Sequence, residues 1–173
     1  MSFKDKLKQV TRSREEALIE QREKEQERAN KLVENQTEAI YNRIEATLMQ
    51  LAKNGEFKTK IFSNKKYIET EICIYSSGPY DQLLKSETRI VGLLSPHHEM
   101  YCCMTKEGMR VIENVRNRAS QNDIECKFDI KMQNLDKRNR KSRTYECTEG
   151  VQIMSYEYGN PSCFLRIHAA ISY

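Results

Sequence analysis

The spacing of apolar residues changes at Gly55, and this change divides the chain into two unlike parts. Residues 1–54 contain neither glycine nor proline and are rich in Glu, Lys, Gln and Arg, which favour helices. From Phe57 onward, apolar and polar side chains alternate over several runs, as they do in half-buried strands. The sequence therefore predicts a long N-terminal helix followed by a β-rich domain.

The apolar residues of the predicted helix are concentrated in its C-terminal half. Five of them recur at spacings of seven, four, four and three, on one helical face: Val33, Ile40, Ile44, Leu48 and Leu51. The few apolar residues between positions 11 and 31 are Ala17, Leu18, Ile19 and Ala29. We therefore expect residues 1–31 to form a polar helical arm and the following half to pack on a core.

Local signals suggest where this helix begins and ends. Ser13 with Glu16 has the form of a capping box, which favours a start at Ser13, and Ser2 to Asp5 is a weaker, earlier start. Asn54-Gly55 predicts the end, because glycine adopts the left-handed conformation that closes helices.

The remainder contains period-two runs separated by two helical patterns. The runs predict a hairpin and four further strands, over residues 57–61 and 67–74, 126–132, 144–147, 151–158 and 163–173. One helix is predicted from Tyr80 to Leu94, because Pro79 favours a helix start and the widely spaced Leu84, Val91 and Leu94 would form its buried edge. Another is predicted from Thr105 to Ala119.

The order of these elements indicates the fold class. Helices grouped between hairpins, without strict alternation of strand and helix, are typical of α+β domains. We expect a mostly antiparallel β-sheet packed by two or three helices, in a globular domain spanning residues 32–173 that follows the arm.

Composition bounds the setting. The chain carries 29 basic and 25 acidic residues, a balance too even to imply nucleic acid by itself. No apolar run is long enough to span a membrane, and the N-terminus lacks the apolar region of a signal peptide. We therefore expect a cytoplasmic protein whose six cysteines are reduced and mostly buried.

Four soft ligands suggest a zinc site as one alternative. They are His98 and Cys102, which would share a face if this stretch were helical, with Cys126 or Cys147 completing the set. Structural zinc sites usually pair ligands two to four residues apart, and His97-His98 and Cys102-Cys103 are adjacent pairs. An exposed turn followed by buried cysteines is the simpler interpretation, so no cofactor is expected.

Motifs of catalysis do not emerge from the sequence. Walker A and dinucleotide-binding patterns do not occur. Cys147 and His168 are a conceivable nucleophilic pair, but no glycine-rich elbow presents either side chain. We therefore expect a protein that is not an enzyme.

A cluster of basic residues provides a second alternative. Its members occupy residues 137–143 with Asp136 as the only nearby acid: Lys137, Arg138, Arg140, Lys141 and Arg143. Such a loop can contact phosphates, and Tyr145 nearby can stack on a base. A solvated connection between strands accounts for the same pattern.

The chain resembles small bacteriophage-encoded proteins. The resemblance rests on the charged leading helix, its end at Leu51-Ala-Lys-Asn-Gly55, the helix-to-strand unit from Gly108 to Met132, and the final Ile171-Ser172-Tyr173. It implies a non-enzymatic phage product, in the host cytoplasm or the virion: either a virion or assembly component, or an inhibitor of a host defence enzyme. It carries over no functional residue.

The polar arm is the strongest functional signal. Residues 11–31 lack the sustained apolar heptads of a coiled coil, so docking on a larger protein assembly suits them better. We expect a macromolecule-binding protein whose contacts lie on residues 12–31 and on the basic loop. A protein partner is favoured, with nucleic acid and self-association as alternatives.

Overall fold

The structure, a computed structural model, describes residues 3–59, 65–75, 82–92, 97–134, 143–144, 152–156, 159 and 161–172. In chain order its elements are α1 (Phe3–Lys53), β1 (Lys58–Thr59), β2 (Lys66–Tyr75), β3 (Leu84–Val91), β4 (His97–Met104), α2 (Lys106–Ser120), β5 (Ile124–Gln133), β6 (Arg143–Thr144), β7 (Gln152–Tyr156) and β8 (Ser162–Ser172). The strands form two four-stranded antiparallel sheets: sheet A in the order β1-β2-β8-β5, and sheet B in the order β3-β4-β7-β6. The α+β class is confirmed.

Helix α1 ends where the sequence predicts but begins earlier. Its last turn closes through hydrogen bonds of 3.0 Å from Gly55 N to Ala52 O and from Glu56 N to Leu51 O, with Gly55 at a φ of +72°. This is the Schellman arrangement that satisfies terminal carbonyls. The predicted start at Ser13 is wrong, because the helix is already formed at Phe3 and runs through Ser13 without interruption.

The apolar face predicted for α1 is buried. Val33, Ile40, Ile44 and Leu48 lie in the core, and Leu51 packs against them. This half of the helix packs on α2 and β2. Burial of an aliphatic side chain stabilises a fold by about 1.5–3 kcal/mol, so this face fixes the helix to the domain.

Helix α2 matches its prediction closely. Thr105 caps it, because its hydroxyl accepts a hydrogen bond of 2.9 Å from Gly108 N and donates one of 2.6 Å to Gln82 O. Its buried face carries Gly108, Val111, Val115 and Ala119, and Ile112 lies at the margin of that face.

The helix predicted from Tyr80 to Leu94 is wrong. Residues 84–91 form strand β3, paired with β4 from Leu84↔Met104 to Val91↔His97. The segment contains Thr88, Ile90 and Val91, whose branched side chains favour strands. Most of its residues are exposed, so no apolar alternation reveals the strand in the sequence.

Apart from β4, which no predicted strand covers, the other strands lie where the alternation predicts them. The predicted hairpin is β1 with β2, although its turn lies outside the described residues. Residues 126–132 lie in β5, and β7 and β8 occupy most of the two later predicted strands. Of the predicted strand at 144–147, only Thr144 is described, as part of β6.

Strand β8 lies in the interior of sheet A, between β2 and β5. Its side chains alternate between the core face and the solvent face of the sheet. Its inward residues are Cys163, Leu165, Ile167, Ala169 and Ile171, all packed into the core or against it. Ile167 pairs with Ile72 of β2 and Phe128 of β5. Helices α1 and α2 cover part of this face by packing on β2 and β5, and sheet B contacts both β5 and β8.

At Gly108, α2 closely approaches the backbone that precedes β3. A Cβ atom at this position would lie 2.3 Å from Leu83 O and 2.8 Å from Met104 Cγ. Alanine favours helices over glycine by about 1 kcal/mol, so only the lack of space opposes this substitution. We therefore expect Gly108→Ala to lower the free energy of unfolding by about 1–3 kcal/mol, as overpacked sites do.

Urea unfolding followed by circular dichroism measures this change. Asn114→Ala is the matched control, since Asn114 is exposed on the same helix and the change should not destabilise it. An unfolding free energy of Gly108→Ala equal to or above that of the wild type would contradict the packing described.

Candidate binding surface

The N-terminal part of α1 projects away from the rest of the protein. Every side chain from residue 9 to residue 28 is exposed, and the first fully buried side chain is that of Val33. At 1.5 Å per residue, the exposed stretch is about 30 Å long. The predicted arm covers residues 1–31; from here on, we use "the arm" for residues 3–28, which precede the first partly buried residue among those described in α1.

Side-chain pairs one helical turn apart line the arm. Arg12 and Glu16 form an ion pair of 3.2 Å. Lys24 pairs with Glu20, and Gln21 donates a hydrogen bond of 2.9 Å to Glu25. Exposed pairs of this kind contribute only about 0.3–0.5 kcal/mol each. They support the helix but cannot hold it alone.

Helix α1 contacts α2 immediately after the arm, at Asn30. Arg110 donates a hydrogen bond of 2.9 Å to the side-chain oxygen of Asn30. Further along, the guanidinium of Arg118 lies 4.4 Å from the centre of the Tyr41 ring. The packed half of α1 therefore starts immediately after the arm and holds its direction.

Charge is unevenly distributed along the arm. Residues 1–14 contain five basic residues and one acidic residue: Lys4, Lys6, Lys8, Arg12 and Arg14 with Asp5. Residues 15–27 contain six glutamates with Arg22 and Lys24. Val10 and Ile19 are exposed on opposite sides of the helix, since nine residues correspond to two and a half turns. In sequence, the arm therefore has a basic tip and an acidic middle instead of an apolar seam.

The basic loop lies almost entirely outside the described residues. Arg143 begins β6, where it pairs with Ser155 of β7. Lys137, Arg138, Arg140, Lys141 and Tyr145 lie outside the described ranges. Phosphate contact through this loop stays a prediction.

The structure does not bring the candidate zinc ligands together. His98 and Cys102 both lie on β4, a strand, so four residues separate them by about 13 Å instead of by one helical turn. His98 stacks on Tyr156 at 5.3 Å between ring centroids. Cys126 lies on β5 of the other sheet, and Cys147 is outside the described residues. Nowhere in the described part do three His, Cys, Asp or Glu side chains gather around a common point.

Burial keeps two thiols protonated. Cys102 is fully buried, and a hydrogen bond with Cys163 together with desolvation raises its pKa. Desolvation raises the pKa of Cys126 to about 11, against the smaller opposing effect of the nearby Arg116 cation. None of the five described cysteines forms a disulfide, and Cys102 and Cys126 lack the thiolate character that a nucleophile needs.

His168 belongs to a charged cluster on the solvent face of sheet A. Its ring lies 3.5 Å from Glu71, and Arg166 beside it forms an ion pair of 3.0 Å with Asp129. Arg166 also lies 3.9 Å from Glu71. These residues come from β2, β5 and β8, and only the register of three strands reveals the cluster. The cluster is a polar network at the sheet surface, in which Arg166 and Asp129 are half-buried and His168 and Glu71 are more exposed.

Comparison with protein families, curated proteins and solved structures finds no match to this chain. The resemblance to phage proteins therefore stays a prediction. In the described part of the chain, neither helix combines the length and apolar character that crossing a membrane requires.

The raised pKa of Cys126 makes the stability of the protein depend on pH. An unfolded thiol ionises near pH 8.5, whereas Cys126 in the folded state ionises near pH 11. Unfolding therefore releases a proton between these values. The contribution of Cys126 to stability is full below about pH 8.5 and is lost as the pH rises toward about 11.

Replacing Cys126 by serine should make the fall in unfolding free energy between about pH 8.5 and about pH 11 less steep than in the wild type. Denaturant titrations at several pH values measure both slopes. The comparison at pH 7 gives the separate packing cost of the substitution. Identical slopes above pH 8.5 would show that the thiol is not desolvated.

Proposed function

We propose that this protein is a non-catalytic macromolecule-binding protein that docks on a larger protein assembly through its helical arm. One observation carries the proposal: residues 9–28 form a helix exposed on all sides, while one face of the same helix is buried in the core from Val33 onward. A largely polar helix of this length is marginal on its own in water. Its continuity with a packed helix suits a contact surface that is held ready for a partner.

Preorganisation is the physical advantage of such an arm. The packed half of α1 supplies the helical nucleus, so the arm extends an existing helix instead of starting one. Binding then costs less conformational entropy than it would if the segment had to become ordered on binding. The basic tip and the acidic middle favour a partner surface with the opposite order of charge.

The setting that we propose follows the resemblance to phage proteins. In one form, the protein is a virion or assembly component; in the other, it inhibits a host defence enzyme. Copurification with phage particles distinguishes the first from stoichiometric binding to a host enzyme in the second. Both forms need the arm and neither needs bond-making chemistry.

Deletion of residues 1–28 tests the role of the arm. This truncation retains the contact between Asn30 and Arg110 and the whole buried face of α1. The partner is first identified by pull-down from the native host with mass spectrometry, and binding is then measured with the purified partner. We expect binding to be lost while the melting temperature changes by no more than a few degrees, since exposed residues contribute little to stability.

A pair of single substitutions separates helical structure from composition. Glu20→Pro interrupts the exposed helix in the middle of the arm, whereas Glu20→Ala retains it. We expect the proline variant to weaken partner binding at least about tenfold, corresponding to about 1.4 kcal/mol, and the alanine variant to bind nearly as the wild type does.

Undiminished binding by the truncated protein would refute docking through the arm. Nucleic-acid binding that weakens steeply with salt, survives the truncation and is lost when Arg138, Arg140, Lys141 and Arg143 become Ala would support the nucleic-acid alternative. Stoichiometric zinc after purification, with loss of stability on chelation, would support the zinc alternative.

A further inference from the structure

Strand β3 is unusually exposed for a strand of this length. Leu84 is buried, but each of the seven residues from Lys85 to Val91 is exposed. Successive side chains of a strand point to opposite faces, so β3 is open to solvent on both faces of sheet B. Beyond its first residue, no core packing accounts for this strand.

The outer edge of β3 also lacks a pairing strand among the described residues. In the described part of sheet B, β3 pairs with β4 alone and lies at one end of the strand order. An edge strand presents a row of backbone N–H and C=O groups that can pair with another strand. The partner for such an edge is an extended segment, and a second β3 is one such segment.

Apolar exposure increases along β3 toward Gly92. On the face that begins with buried Leu84, the exposed fraction rises from 4% at Leu84 to 71% at Ile90. Val91, on the other face, is also exposed. A large aliphatic side chain exposed on an edge strand favours association, because a pairing strand covers it.

The charges of β3 determine which pairing is favourable. Lys85, Glu87 and Arg89 alternate in sign on one face of the strand. Glu87 and Arg89 already form an ion pair of 3.0 Å, and the Arg89 guanidinium lies 5.2 Å from the Tyr101 ring centre. Both charged groups therefore lie close together on the same face at the open edge.

We propose that two copies of this protein associate through antiparallel pairing of their β3 strands, with Thr88 on the two-fold axis. This register places Glu87 of each copy opposite Arg89 of the other, and Ile90 opposite Ser86. Because the axis repeats every contact, the complementary charge pair occurs twice. The result is an eight-stranded sheet built from two copies of sheet B.

The neighbouring register is unfavourable for the same reason. Moving the axis to Glu87 places this carboxylate opposite its own copy, and Lys85 opposite Arg89. Like charges directly opposite each other destabilise antiparallel pairs. Basic residues on an edge often prevent pairing, but their alternation with Glu87 allows a complementary register here. An axis at Ser86 would also place Lys85 opposite Glu87, but it pairs only residues 84–88 of β3, whereas the axis at Thr88 pairs residues 85–91.

Charge reversal at one position tests the pairing in the full-length protein. With Glu87→Arg, position 87 of each copy carries an arginine that lies opposite the native Arg89 of the other copy, so both cross-strand charge pairs become repulsive. We expect the wild type to form dimers at concentrations of about 10–500 µM, because an edge contact is smaller than a stable interface. Glu87→Arg should weaken dimerisation at least about tenfold. Sedimentation equilibrium measures both constants.

A complementary variant makes the test specific for the register. Arg89→Glu alone should also weaken dimerisation, but a 1:1 mixture of the two variants should form heterodimers, since arginines then face glutamates. Native mass spectrometry distinguishes heterodimers from homodimers. Arg89 lies opposite Glu99 of β4 in the strand register, so Arg89→Glu places two carboxylates next to each other within one copy. Thermal melts therefore check that the Arg89→Glu variant is folded. If this variant is not folded, the dimerisation of Glu87→Arg is compared with that of neutral Glu87→Gln. We expect Glu87→Gln to weaken dimerisation less than Glu87→Arg does, because it removes the attraction without adding repulsion.

Glu23→Arg is the matched control, because it changes the net charge equally on the distant arm and should leave dimerisation unchanged. A wild type that stays monomeric over the whole concentration range would overturn the proposal. So would dimers that resist both charge reversals, or dimers that disappear on deletion of residues 1–28. This inference is independent of docking through the arm, which the truncation tests with a different readout.

Discussion

The packing of one apolar face of α1 against α2 and sheet A is the interaction on which the rest of the structure depends. Ile40 and Ile44 on this face are almost completely buried, and they join the helices to the inner face of β2 and β8. The same burial supplies the helical nucleus that the arm extends. Without it, the arm would lose its direction and sheet A would expose its apolar face.

Periodicity in the sequence was sufficient for the elements that contact this core. The face from Val33 to Leu48, helix α2 with its Thr105 cap, and the alternating strand β8 could all be predicted, because burial imposes a period of 3.6 or 2 on the side chains. β3 could not, because a strand exposed on both faces has no buried side that would impose alternation. Its helical interpretation relied on Pro79 and widely spaced apolar residues alone.

The candidate surfaces were predictable to different degrees. The arm follows directly from the absence of apolar residues between positions 11 and 31. The zinc interpretation relied on a helical spacing of His98 and Cys102, which a strand converts into a large separation. The cluster of Glu71, Asp129 and Arg166 depends on pairing among three strands far apart in sequence, and no local pattern specifies that register.

The central position of β8 has a consequence for how the protein forms. β8 lies between β2 and β5, and both of these strands are translated before it. Ile68 of β2, for example, has its register partner Ile171 only after β8 is made. During translation, β2 and β5 therefore lack the strand that joins them, and their apolar faces have only the helices as cover. Closure of sheet A therefore requires synthesis through β8, and the nascent chain is vulnerable to aggregation or chaperone capture before that point.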